Sequence, residues 1–144
     1  MKDFVTFELA KKLKEKGFSC EIPFAMYNEI ACFCLLTTAA PMMVCASGFK
    51  CREYYDYEDF DEHDYIAPTI SQVLMWLRKE HHIHFEVVGA AYGYNLIISD
   101  TPDKGGTDRY FTHANDDGPN DGGAWDKYED CVMYGIEYVL DNLI

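Results

Sequence analysis

Twenty consecutive residues, Ile30 to Phe49, carry no charge, and a run of that length is just sufficient for a helix to cross a bilayer. No other stretch constrains the fold as strongly, because such a run must either span a membrane or be buried inside the protein. Its interior decides between the two. Thr37, Thr38, Pro41, Ser47 and Gly48 interrupt the apolar character, and Ala39-Ala40-Pro41 reads as a turn. Ile30, Cys32, Cys34 and Leu36 recur at period two, with apolar Ala31, Phe33 and Leu35 between them. That is the pattern of a strand covered on both faces. The expectation is a buried hairpin in which Met42 to Cys51 returns beside this strand, in a chain without a membrane span.

Helix signals frame the hairpin. Thr6 is placed to cap a helix from Phe7 to about Lys16, with Phe7, Ala10 and Leu13 on one face and Lys11, Lys12 and Lys14 in solvent. Gly17 stops it, and Phe18 is placed to fold back on the last turn. Thr69 and Gln72 have capping-box spacing ahead of a stripe of Ile70, Val73, Leu74 and Leu77, which predicts a second helix ending near His81. Ile83, Phe85 and Val87 alternate with His84 and Glu86. A turn at Gly89 then leads to Tyr92, Tyr94, Leu96 and Ile98 at the same period, the signature of a hairpin. Ser99 to Trp125 is rich in Gly, Asp and Asn and reads as a long loop. Asp126 and Glu129 make a second capping pair for a final helix whose stripe is Val132, Ile136, Val139, Leu140 and Leu143. Gly135 within it costs about 1 kcal/mol relative to Ala, which implies close approach to a neighbouring element. The order is α-β-β-α-β-β-α. It predicts an α+β fold with an antiparallel sheet of about four strands packed by three helices, in a single domain over residues 1–144.

Charge bears on partners. The 144 residues include 12 Lys and Arg against 25 Asp and Glu, a formal net charge of −13. Residues 1–17 hold five Lys and three acids, so seven basic and 22 acidic residues remain beyond Gly17. A field of that sign repels phosphate backbones and anionic lipid surfaces. The expected partner is therefore a protein, basic if charge decides, and neither nucleic acid nor membrane. Lys2, Asp3, Glu8 and Lys11 interrupt any apolar core of a signal peptide. The six cysteines thus read as free thiols in a reducing, cytoplasmic setting.

Motifs that carry chemistry are weak. His81-His82-Ile83-His84 supplies imidazoles, but a histidine closing a helix and two on a wet strand face account for it without a metal. Cys32 and Cys34 share a strand face without zinc-ribbon spacing. The acids from Asp100 to Asp126 fail the EF-hand register, because Gly118 in the glycine position places His113 first and Ala124 twelfth. No P-loop and no nucleophile elbow occurs. A pairing of Cys131 with His113 has no local support, and Cys131 adjoins a core-facing helical position. No catalytic residue, metal or cofactor is expected. The most unusual segment is Glu53 to Tyr65, which interleaves acids with aromatic rings. Tyr54, Tyr55, Asp56, Tyr57, Asp59, Phe60 and Asp61 are its candidate partner-binding residues: the rings provide area while the acids steer a basic partner. Rings covering a sheet edge with their acids in water would leave the same pattern.

Ala67-Pro68-Thr69, Trp76-Leu77-Arg78, Tyr128-Glu129 and the ending Gly135 to Ile144, together with Phe7 to Ala10 and Lys16-Gly17-Phe18, resemble small proteins encoded by phages and prophages of gut Bacteroidetes. The resemblance implies a shared fold and a mobile-element origin; it brings no activity. The function expected from these observations is a non-catalytic protein-binding or accessory module of a phage or prophage. The alternatives are an acidic mimic of nucleic acid that inhibits a host DNA-binding protein, and an enzyme of unknown class.

Overall fold

The computed structural model of the protein describes residues 3–20, 23–28, 30–35, 42–45, 50–51, 62–101, 109–112 and 118–144. By contacts these fall into two compact units, Asp3–Thr69 and Ile70–Ile144. Both combine helix with antiparallel sheet, so the chain is α+β. Among the described residues there are three helices, but the strands are more numerous than the sequence suggested and lie in two sheets.

The first unit opens with α1 (Phe7–Glu15), capped as expected: the Thr6 hydroxyl accepts from the Leu9 N–H at 3.3 Å. At its other end Gly17 takes φ +79°. The Gly17 and Phe18 N–H groups donate to the Lys14 and Leu13 carbonyls at 3.1 and 2.9 Å, the paired bonds of a Schellman stop. Leu9, Ala10 and Leu13 are buried. A five-stranded sheet accompanies the helix. Its strands are β1 (Ala25–Tyr27), β2 (Cys32–Leu35), β3 (Met42–Cys45), β4 (Lys50–Cys51) and β5 (Tyr65–Ile66), in the order β4-β3-β2-β1-β5 with every neighbouring pair antiparallel.

The β2–β3 hairpin is the one read from the uncharged run, and Phe33 and Cys34, on opposite faces of β2, are both 1% exposed. Ile30 stands outside the strand and is exposed, because Ala31 turns the backbone at φ +63°. The predicted turn at Ala39-Ala40-Pro41 lies outside the described residues. Edge-to-face rings form the centre of this unit: Phe4–Phe33, Tyr27–Phe33, Phe7–Tyr27 and Phe7–Tyr65 stand 5.0 to 5.5 Å apart. The buried Tyr27 hydroxyl donates to the Val5 carbonyl at 2.8 Å.

In the second unit α2 (Ile70–Glu80) precedes β6 (Ile83–Ala90), β7 (Gly93–Asp100), β8 (Arg109–Thr112) and α3 (Tyr128–Asn142). The strands form a sheet in chain order, antiparallel throughout. α2 buries Ile70, Val73, Trp76 and Leu77, while Leu74 is half-buried. α3 begins after Lys127, not after the Asp126 expected as its cap; the Lys127 ammonium has no acceptor to offer, and the Asp126 carboxylate accepts from Asn120 instead. Close approach at Gly135 is confirmed: a Cβ there would stand 2.5 Å from Leu96 Cδ2 and 2.6 Å from Phe85 Cε1. α3 therefore lies on the sheet face that carries Phe85 and Leu96. β8 falls inside the stretch read as loop. Its Tyr-Phe-Thr run has strand-forming residues, but it is too short for periodicity to stand out between polar flanks. Among the described residues no helix is long and apolar enough to cross a membrane.

Candidate functional site

Tyr54, Tyr55, Asp56, Tyr57, Asp59, Phe60 and Asp61 lie outside the described residues. The end of their segment is anchored in the first unit. The Lys14 ammonium donates to the Glu62 carbonyl and, at 2.8 Å, to the Asp64 carbonyl, and it sits 4.7 Å from the centre of the Tyr65 ring. Lys14 thus belongs to the architecture as well as to solvent. Beside it is a cleft of about 280 Å³ lined by apolar Ala10, Phe18, Met26 and Ile66 with Lys14, Glu62 and Asp64. The Lys14 contacts commit its charge to the cleft wall.

The histidine cluster is dispersed. The His81 ring stacks edge-on against Trp76 at 4.5 Å, and burial holds its imidazole below the ordinary 6.5, with Glu80 opposing. His82 precedes β6 in the left-handed region at φ +57° and is half-buried, whereas His84 is exposed on the strand. The even face expected for His82 and His84 is lost at that backbone turn. Among the described residues no group of three or more metal-ligating side chains converges. Cys34 and Cys131 are buried thiols. Burial raises both and pushes Cys131 up to about 11, so it stays protonated and a poor nucleophile at neutral pH. His113 lies outside the described residues.

The structure brings together a different set, on the second unit. β6 and β7 are joined through Ala91 and Tyr92, two residues beyond the expected turn at Gly89. Gly89 remains within the strand, where a Cβ would only touch the Tyr94 ring at an ordinary 3.9 Å. Tyr94 in turn meets Tyr128, at the start of α3, edge-to-face at 6.0 Å. Tyr92 at the tip is 76% exposed and Tyr128 43%.

One side chain fixes this end of the unit. Asn120 donates to the Tyr92 carbonyl at 2.7 Å and to Asp126 Oδ1 at 3.0 Å, and its own oxygen accepts from the Gly122 and Ala124 N–H groups at 3.0 and 2.9 Å. Trp125 then bonds Tyr94 through both backbone groups, at 2.8 and 3.1 Å. That approach requires Gly93, where any Cβ would fall 2.5 Å from the Trp125 carbonyl oxygen. Around the tyrosines Asp121, Asp126 and Asp130 are exposed, with Lys127 among them. The sequence pattern places Tyr92 and Tyr94 in a strand and 118–125 within the long loop from Ser99 to Trp125. The available signal was Asn120-Asp121-Gly122-Gly123, a turn whose amide can bond its own backbone.

Rigid aromatic side chains within an acidic rim can supply contact area and steer a positively charged surface toward it. No family model matches the chain, and no curated protein and no solved structure shows significant similarity to it.

Proposed function

We propose that the protein is a non-catalytic protein-binding module that engages a basic partner surface through Tyr92 and the Tyr94–Tyr128 pair. The observation that carries this reading is an aromatic side chain 76% exposed on a backbone that Asn120 and Gly93 hold in place. Large apolar area presented on a pre-ordered backbone costs little further entropy on binding. The acids near it repeat the chemistry of Glu53 to Tyr65, so the two segments suit the same class of partner. A mobile-element origin, implied by the resemblance at Ala67-Pro68-Thr69 and the C-terminal helix, fits an accessory module acting on host proteins.

A photoreactive side chain in place of Tyr92 tests the reading in cell extract. The expected product is a discrete adduct with a basic protein, abolished by excess unlabelled parent protein and not by the Tyr92→Ala/Tyr128→Ala double variant. A binding partner whose affinity is unchanged by that double variant, but which is released when Asp56, Asp59 and Asp61 become Asn, would replace the tyrosine surface with charge mimicry.

A further inference from the structure

β6 runs for eight residues at the end of its sheet. Two contacts establish which of its backbone groups face outward. The Thr101 N–H donates to the His82 carbonyl at 2.8 Å, so the even-numbered residues of β6 form the hydrogen-bonded pairs with β7. Tyr94, opposite Gly89, bonds Trp125 on the side away from β6. Ile83, Phe85, Val87 and Gly89 therefore direct their N–H and C=O groups away from β7. Among the described residues no backbone bond reaches them.

Edges of this kind are normally blunted by proline, lysine or a bulge. β6 has none of these, and its register with β7 is unbroken from Ile83 to Ala90. Burial on the helix-bearing face is also incomplete at this edge. Leu96 and Ile98 on β7 are fully buried, yet Val87 and Phe85 opposite them are only half-buried. On the other face His84 and Glu86 are exposed, and neither has an ion pair or side-chain hydrogen bond with a described residue.

We propose that β6 is an association edge for a second copy of this chain, the two strands pairing antiparallel about a twofold axis at Phe85. In that register Phe85 faces its own copy and Ile83 faces Val87 of the second copy, through the outward backbone groups. Apolar side chains then meet on the half-buried face. His84 faces Glu86 of the second copy, twice by symmetry, at the non-hydrogen-bonded positions where side chains approach most closely. An imidazole N–H can donate to a carboxylate whether the ring is neutral or charged. Charge selects this register over its neighbours. An axis at Glu86 or at His84 sets like residues against each other, and an axis at Val87 leaves His84 opposite Ala90. Every pairing is reciprocal, as a closed dimer demands.

Sedimentation equilibrium of the full chain across a range of concentrations tests the proposal. The expected mass rises from 16.6 kDa toward twice that value. Val87→Pro removes an outward N–H and leaves the β6–β7 bonds in place, so it should weaken association at least about tenfold with an unchanged circular dichroism spectrum. His84→Glu sets carboxylate against carboxylate and should weaken it similarly. The exchanged pair H84E/E86H should restore it, which also decides the matter if the proline variant does not fold. Tyr92→Ala leaves the dimer intact, separating this edge from the tyrosine surface. A mass of 16.6 kDa at every concentration up to about 1 mM, where even a weak complex would register, overturns the proposal. So does a dimer indifferent to both Val87→Pro and His84→Glu. A monomer whose β6 edge instead takes up a strand of another protein overturns it as well.

Discussion

Asn120 closes its loop through one side chain: its amide satisfies four groups, two as donor and two as acceptor. Asn120→Ala should destabilise the protein by about 1–3 kcal/mol, the usual cost of leaving such groups without partners. Asn120→Asp keeps the acceptor but sets a carboxylate oxygen against the Tyr92 carbonyl and Asp126, and should cost at least as much as the Ala variant. Urea melts of the two variants check both statements, and an Asp variant as stable as the parent would mean that the donor contacts contribute nothing. His81 gives the protein a pH dependence of definite sign. Burial lowers its imidazole in the folded state, so the unfolded chain binds the proton more readily. Its contribution to stability is complete above pH 6.5 and declines as pH falls through 6.5 toward the lowered folded value. His81→Asn should flatten that part of the profile, measured as unfolding free energy against pH.

Among the elements, α3 tests close packing most directly. Gly135→Ala gains about 1 kcal/mol of helix propensity but drives a methyl into Leu96 and Phe85. Overpacking of this kind typically costs 1–3 kcal/mol, so the net effect should be a modest loss of stability. It should be smaller if Phe85, half-buried at the sheet edge, swings aside. Two residues that look equivalent in their sequence stripes differ in burial. Ile136 on α3 is fully buried, whereas Leu74 on α2 is only half-buried. Ile136→Ala should therefore cost about 2–5 kcal/mol and Leu74→Ala clearly less. Equal shifts in denaturation midpoint would contradict this packing. Trp76 is buried and Leu74 is not, so the buried face of α2 extends on the Trp76 flank, where the indole meets the His81 ring edge-on.

Across the whole molecule, a net charge of −13 means that folding brings carboxylates together against their mutual repulsion. Added sodium chloride should raise the melting temperature from its low-salt value as screening shortens the reach of that repulsion. A melting temperature that falls between low and physiological salt would mean that specific ion pairs outweigh it. Local signals were legible. Thr6 and Gly17 delimited α1 to within a residue, α2 ended one residue before His81, and period two marked β2, β6 and β7. Each of those is a property of a few neighbours: a hydroxyl near an N–H, a glycine able to adopt positive φ, an alternation that puts one face inside. The sequence by itself therefore determined helix and strand, the α+β class and antiparallel hairpins. Tertiary structure alone decided that the strands divide into sheets of five and three, that the brief Arg109–Thr112 segment joins one of them, and that Asn120 ties the loop to the hairpin tip. It also decided which tyrosines meet and which strand is left at an edge. These depend on pairings between residues far apart in the chain, where the gain comes from area buried and hydrogen bonds satisfied together, quantities that no local period encodes.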